Sequence, residues 1–504
     1  MSRIWNWLWP VRWLGVLVVL LWVGVLYQLL HPSDGLSQEK FEQLYPWAVE
    51  TKPTLGANWM GLYLKKRKIG YVHTTTSKDK EGYVIQQRTL MAMRLFGTQQ
   101  QVAVFSKVSV NKSFGLRHFT FQLHSALSQF SARGRVHGPY IQVVLNTGGS
   151  KRRFQRKYRP SLYSSVLRPY IASLKPKPGK KIRTTIFDPQ SMSYVPTVVE
   201  VVGYEPLKIH GKHYPKVLKL RQYFRGIKML SWLDEKGDTL KEVSASGMIL
   251  LREGAHRARR GISKGVDMIK ATRIKLRGRI QAPKTRKSLH VRLRNVDVSS
   301  FPELFRRRQS RKAALLLIQK EDVGKLPDVA FSAFASSRGR AKLSQEILDA
   351  HKATSLVQSD HPDILKQATK ITTKSKTRRE AIDAIARWVH TSLKKKSVIG
   401  IPSAIETLKT RVGDCNEHAT LFAALARAVS IPCQIVSGIA YLRGNFYYHA
   451  WNECHIAGEQ WLSVDATWGQ TPADVTHIVF VRGGLEKQIS LIQLMGRLKI
   501  DIDL

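Results

Sequence analysis

The sequence predicts an α+β chain of several units: an N-terminal transmembrane helix, an antiparallel β-rich domain, a basic β-hairpin region and a C-terminal mixed domain of helices and strands. Three observations predict it. An uncharged apolar run lies near the start, hydrophobic residues alternate with period two as far as about residue 251, and from about Leu343 the period becomes helical. The 504 residues accommodate two to four folded units at about 100–200 residues each. The divisions expected are 1–30 for a cytoplasmic stub and anchor, 31–56 for a linker, 57–251 for the β-rich domain, 252–312 for the basic hairpin and connector, 313–342 for a second linker and 343–504 for the mixed domain.

The anchor is read from Trp13 to Leu30, eighteen residues without a charge. As a helix they span about 27 Å, against a bilayer core of about 30 Å. Trp5, Trp7, Trp9 and Trp13 precede or open the run, together with Arg3 and Arg12, whereas Lys40 is the only basic residue in the twenty that follow. Indole rings favour the headgroup layer, and the positive flank stays in the cytoplasm. A single-pass protein of the inner membrane is therefore expected, its N-terminus inside and its main domains periplasmic. The competing reading is a cleaved signal peptide, although Leu29-Leu30-His31-Pro32-Ser33 offers no small-x-small cleavage site.

Hydrophobic residues make up 43% and charged residues 23%, ordinary globular usage that excludes wholesale disorder. The charge balance is not ordinary. Lys and Arg number 82 against 36 Asp and Glu, a net +46 that favours anionic surfaces or polymers. Three cysteines cannot all pair within one chain and are too few for a four-thiolate zinc site.

Strand-length alternation recurs in the segments beginning at Met60, Gly82, Gln101, Tyr140 and Lys216, each bounded by turn residues, and predicts the antiparallel β-rich domain. Its aromatic and β-branched residues suit a core as well as a ligand groove. Between Arg252 and Lys312 there are twenty Lys or Arg and four acids. Arg273, Lys275, Arg277 and Arg279 alternate with Ile274, Leu276, Gly278 and Ile280, and His290, Arg292 and Arg294 with Val291, Leu293 and Asn295. A hairpin of these two stretches would bury one face and display a cationic row, either for an anionic envelope surface or as a plainly solvated face. The extracytoplasmic placement and the lack of a recognised motif argue against nucleic acid. Arg306, Arg307 and Arg308, with Arg311 and Lys312, suggest an exposed connector.

In the C-terminal domain Ile382, Ile385, Ala386, Val389 and Leu393 form one apolar helical stripe. The next helix is predicted to open at Cys415, with Asp414 as N-cap and Glu417 completing an acidic capping box; Leu421, Phe422, Leu425 and Val429 give its apolar face and Pro432 follows its end. A sulfur on the first helical residue meets unpaired N–H groups and the positive end of the helix dipole, which favour thiolate, while Asp414 opposes that bias. Three strands follow at about 433–442, 446–456 and 460–466, with turns at Arg443-Gly444-Asn445 and Gly458. His449 lies in the second and Asp465 in the third. Neighbouring antiparallel strands can place the carboxylate on the imidazole and leave its other nitrogen for the thiol, a Cys, His, Asp arrangement suited to acyl transfer.

The flanks of these three residues, Gly413-Asp414-Cys415, His449-Ala450-Trp451 and Trp461-Leu462-Ser463-Val464-Asp465, resemble those of the papain-related transglutaminase-like superfamily, and Ala424–Pro432 with Asp465–Ile478 look like its membrane-anchored bacterial branch. The likeness covers roughly Thr377 to Gly483, about a fifth of the chain. It implies a C-terminal domain of papain-like/transglutaminase-like fold in which Cys415, His449 and Asp465 are catalytic. Cys415 would attack an amide or peptide carbonyl of a protein or cell-envelope polymer, His449 would exchange the proton and Asp465 would orient His449. Water or an amine would resolve the thioester. No cofactor and no metal is called for.

Two alternatives stay open on the same residues. Cys415, His418, Cys433 and Cys454 could form an irregularly spaced zinc site, and a non-catalytic envelope scaffold could use the same fold. Cys433 and Cys454, on neighbouring strands, could pair in an oxidising compartment.

Overall fold

The structure, a computed structural model, describes residues 56–331 and 343–503, apart from 96–97, 113–114, 126–127, 159–170, 173, 189–192, 225–226, 264–265, 268–272, 328 and 397. The expected anchor at 13–30 lies outside the described residues, as does the 31–56 linker up to its last position. Among the described residues no helix is long and apolar enough to cross a membrane.

The described part is mostly β, with its helices concentrated in the C-terminal half, and it divides into two compact units. The first takes the described residues of Leu17–Asn146 and Lys151–Asp267. Its strands pair with their neighbours in sequence, from Ser150–Lys157 back to Gly56–Leu64, across to Met248–Glu253 and on to Lys181–Asp188. The alternation has the expected consequence: in Tyr140–Thr147 Ile141, Val143, Leu145 and Thr147 point inward. A turn residue at almost every strand end, such as Gly138, Gly211 and Gly247 in the left-handed region, permits so long a meander.

The second unit is built chiefly on Met268–Leu504. Its main sheet runs Gln309–Lys312, Leu315–Gln319, Ser288–Arg294, Lys499–Asp503, Ile274–Arg277, Asn445–Ala457, Cys433–Leu442 and Ile478–Arg482, and Gln460–Val464 pairs with the far half of Asn445–Ala457. Helix Cys415–Ala428 packs on Asn445–Ala457 and Cys433–Leu442, and is enclosed by helices Pro362–Thr372, Arg378–Ser392 and Ala404–Thr410. Every residue from Cys415 to Arg427 is buried. Leu421, Phe422 and Leu425 thus form part of a helix buried all round rather than one apolar face, each side chain worth about 1.5–3 kcal/mol of burial. Ile382, Ile385, Ala386, Val389 and Leu393 are all buried, as their stripe predicts.

The basic region differs from expectation. Ile274–Arg277 and Ser288–Arg294 do not form a hairpin, because the C-terminal strand Lys499–Asp503 lies between them, parallel to the first and antiparallel to the second. This strand has an aliphatic face, Ile500 and Ile502, and Asp501 on the other, which pairs with Arg294. An acidic strand two hundred residues away completes the cationic row better than a second cationic strand can. The segment 313–342 is not wholly linker, since Leu315–Gln319 is a strand paired with Ser288–Arg294. Nor are all the arginines of 306–308 an exposed connector: the Arg307 side chain is 11% exposed and that of Arg308 4%.

Candidate active site

Helix Cys415–Ala428 begins where its capping predicts. Asp414 accepts from the Asn416 N–H at 2.9 Å, and Glu417 reaches back to accept from the Asp414 N–H at 3.1 Å. Gly413 makes this possible: a Cβ there would fall 2.5 Å from Cβ of Glu417. Cys415 is the first helical residue and is wholly buried. Its sulfur takes a hydrogen bond from the backbone of Ala450, the residue next to His449. The Asn452 amide donates to the Ala419 carbonyl at 3.0 Å, fastening helix to strand.

Strands Cys433–Leu442, Asn445–Ala457 and Gln460–Val464 reproduce the expected ones within two residues, turned at Arg443-Gly444 and at Gly458 in the left-handed region. His449 Nε2 lies 2.9 Å from Oδ2 of Asp465. The other carboxylate oxygen accepts from the backbone N–H groups of Thr467 at 2.8 Å and Trp468 at 3.2 Å. The Trp468 ring stacks on His449, centroids 4.4 Å apart and planes within 19°. His449 and Asp465 are wholly buried.

Sequence reasoning missed His477. Its Nε2 stands 3.1 Å from the same Oδ2 of Asp465, and its Nδ1 stands 3.2 Å from Oδ1 of Asp474. Carboxylates only accept, so both nitrogens of His477 donate and the ring is an imidazolium. Burial opposes this charge, but Asp474 and Asp465 raise His477 to about 9. Asp474 is held in turn by the Thr476 N–H at 2.9 Å and by Gln470 Nε2 at 3.0 Å. The signal available was Asp474-x-x-His477 in the turn after Asp465, which local patterns do not distinguish from ordinary turn chemistry.

Burial opposes ionisation of Asp465 too, yet the charges and hydrogen bonds of His449 and His477 hold its carboxyl far below the usual range. Since Asp465 is ionised, His449 must carry its proton on Nε2. Nδ1 is then a lone pair, and it is buried with no hydrogen-bond partner among the described residues. Burial lowers the affinity of His449 for a second proton, against the pull of Asp465. Burial also pushes the Cys415 thiol up, with Asp414, Glu417 and Asp465 adding to it and the Ala450 N–H alone opposing. Burial therefore outweighs the expected dipole bias toward thiolate, favouring the neutral form of the Cys415 thiol as it does that of the His449 imidazole.

The structure brings the surroundings of Cys415 together with His449 and Asp465, but does not assemble the zinc set. Cys433 and Cys454 face each other across the strand ladder, both buried and free. Among the described residues the one cluster able to hold a metal is His449, Asp465 and His477, with ligand atoms within 4.8 Å. Those atoms already bond to one another, so a cation would have to replace the protons. Asn416 Nδ2 and Trp451 Nε1 are buried donors with no partner among the described residues, close in sequence to Cys415 and His449.

Two solved structures resemble parts of the chain weakly. One is a candidate cysteine protease from Cytophaga hutchinsonii, 17% identical, covering 42% of this chain and 83% of its own, with a TM-score of 0.28. The other is a β-barrel-like protein from Brucella abortus with a domain of unknown function, 13% identical, covering 39% and 94%, with a TM-score of 0.31. Neither likeness is close enough to define a shared fold. Comparison with curated proteins gives no match. The family comparison is specific to the site: residues 366–466, which contain Cys415, His449 and Asp465, match the transglutaminase-like superfamily.

Proposed function

We propose that the protein is a thiol enzyme acting on amide or peptide bonds through a cysteine thioester. One observation carries the reading: His449 donates a hydrogen bond from Nε2 to Asp465 and keeps a buried Nδ1 with no hydrogen-bond partner among the described residues, while the sulfur of Cys415 sits on the N–H of Ala450, the residue after His449. The thiol proton passes to His449 Nδ1 as sulfur attacks the carbonyl carbon. The imidazolium so formed, stabilised by Asp465, returns the proton to the departing amine as the C–N bond breaks, leaving a thioester. Water or a second amine, losing a proton to His449, then attacks the thioester and Cys415 recovers its proton. The Cys415 N–H at the head of its helix suits the oxyanion. His477 stays charged throughout and keeps Asp465 from taking a proton.

The placement that fits this chemistry is periplasmic, with the apolar run 13–30 as a single inner-membrane anchor, a protein or cell-envelope polymer as substrate, and the cationic excess holding the domains to anionic envelope material. Such association weakens as salt rises. Complete burial of Cys415 favours a second reading, a non-catalytic scaffold. One experiment separates them. Iodoacetamide should alkylate Cys415 in the full chain several-fold faster than in His449→Ala, which lacks the base that takes the thiol proton, and candidate envelope proteins with a labelled amine should acquire label or new termini only when Cys415 is present. Slow alkylation indifferent to His449, with neither product, leaves the scaffold.

A further inference from the structure

Beside the catalytic group lies a cavity of about 430 Å³. Trp468, whose ring covers His449, is part of its wall, with Thr467 and Gln470 from the same turn. Lys395 and His390 line another side, the Lys395 ammonium 3.2 Å from His390 Nδ1. The backbone of Lys395 pairs with Gly413, two residues before Cys415, so this wall reaches the head of the nucleophile helix. Arg443 and Lys284 complete the charged lining, from the turn Arg443-Gly444 and the loop near Pro283. The cavity is thus separated from the imidazole by the Trp468 ring and is walled by the strand residue that pairs with Gly413, and its size is that of a small-ligand pocket.

Its charge is one-sided. The lining holds three basic side chains, Lys284, Lys395 and Arg443, against one carboxylate. That carboxylate, Asp474, has Oδ1 bonded to Thr476 and His477 and Oδ2 bonded to Gln470, so it belongs to the network behind the wall. Desolvation at Lys395 lowers its hold on the proton, with Asp465 pulling the other way. An arriving anion would relieve that cost, whereas a cationic ligand would add to it.

We infer that this cavity binds an anionic group of the substrate, so that the amides processed are flanked by a carboxylate, as in an acidic peptide. The inference rests on the thiol-enzyme reading of Cys415 and names the substrate class for that site. A carboxylate within reach of Lys395 and Arg443 would anchor the chain while the neighbouring amide lies over the head of helix Cys415–Ala428. A partly desolvated cation with further cations on the same lining discriminates an acid from its neutral amide isostere by about tenfold or more.

The test separates binding from turnover. Full-length Cys415→Ala is titrated calorimetrically with acetylated Gly-Ser hexapeptides carrying a single Glu, Gln or Lys at each position in turn. At one position or more the Glu peptide should bind at least tenfold tighter than its Gln counterpart and the Lys peptide more weakly than either. The preference should shrink in high salt and fall toward onefold when Lys395→Gln is added. Arg443→Gln, on an exposed turn, should weaken it independently if the lysine variant folds poorly. Equal binding of Glu and Gln peptides at every position, or tighter binding of Lys peptides, overturns the inference. That result is read without the nucleophile, so it is distinguishable from failure of the thiol reading, which is told by His449-independent alkylation of wild-type Cys415.

Discussion

Two buried carboxylates act on strand Asn445–Ala457 at positions four residues apart, and they do different things. Asp465 meets the strand at His449; Glu453 is part of it. Glu453 receives Arg482 through Nε at 2.8 Å and Nη2 at 3.0 Å, and also bonds Arg307, whose guanidinium lies 3.7 Å from the centre of the Trp461 ring. Burial raises its pKa, but Arg482 and Arg307 bring it down to about 2. Asp465 is depressed by comparable means, yet its partners are histidines. Guanidinium never surrenders its proton near neutrality, so the Glu453 cluster can only hold structure together. Imidazole can, so the Asp465 cluster can move charge. A buried, strongly shifted carboxylate is a sign of function only when a neighbour can exchange protons.

The sharpest way to break this contrast is to remove the proposed nucleophile. Cys415→Ala should reduce amide turnover by about 10⁴-fold or more while leaving the thermal midpoint near wild type, measured by product release and calorimetry. Asp465→Asn should come next, with kcat down by about 10³–10⁴-fold because the amide permits the wrong His449 tautomer. Glu453→Gln should do the opposite. It leaves Arg482 and Arg307 short of a buried counter-ion, costing about 3 kcal/mol by denaturant titration, while turnover per folded molecule changes little. A large loss of kcat in Glu453→Gln without loss of stability would dissolve the comparison.

His477 sharpens it by its pH dependence. Its folded pKa is raised, so the stability it contributes is complete below about 6.5 and is lost as pH climbs through about 9, about 3 kcal/mol at most. Chemical denaturation from pH 6 to 10 should show that decline, and His477→Gln should flatten it. The same variant should lower kcat more than it raises KM if His477 positions Asp465, whereas a merely structural loss would leave the pH profile of the surviving activity unchanged. Ser463→Ala should have the smallest effect. Ser463 accepts from Arg308 at 2.7 Å while Arg308 also donates to the Ala473 carbonyl, so its loss loosens the Asp474 turn by about 1 kcal/mol, readable as a small drop in midpoint.

Much of the site was legible because its signals are local. The capping box at Asp414 and Glu417, the three strands, and the flanks of Cys415, His449 and Asp465 all depend on residues within a few positions of one another. The ionisation of Cys415 was not, because the helix dipole is visible in sequence and the burial that outweighs it is not. Arg307 and Arg308 illustrate the same limit. Three consecutive arginines resemble a solvated run, and nothing near them in sequence announces Glu453, Glu346, Ser463 or Asp474 as their partners. The basic hairpin was misdrawn for the reason that its true neighbour is the last strand of the chain.

By itself the sequence located the capped helix at Cys415 and the three strands that follow it, since side-chain period and capping act over single turns and pleats, and it put a thiol, an imidazole and a carboxylate within that one run of elements. Tertiary structure decided which of the many charges face one another. It set His477 against Asp465, favoured the neutral forms of the Cys415 thiol and the His449 imidazole, and gathered Lys284, Lys395 and Arg443 around one cavity. Electrostatic energies depend on distance and desolvation, and both exist only once remote segments have packed.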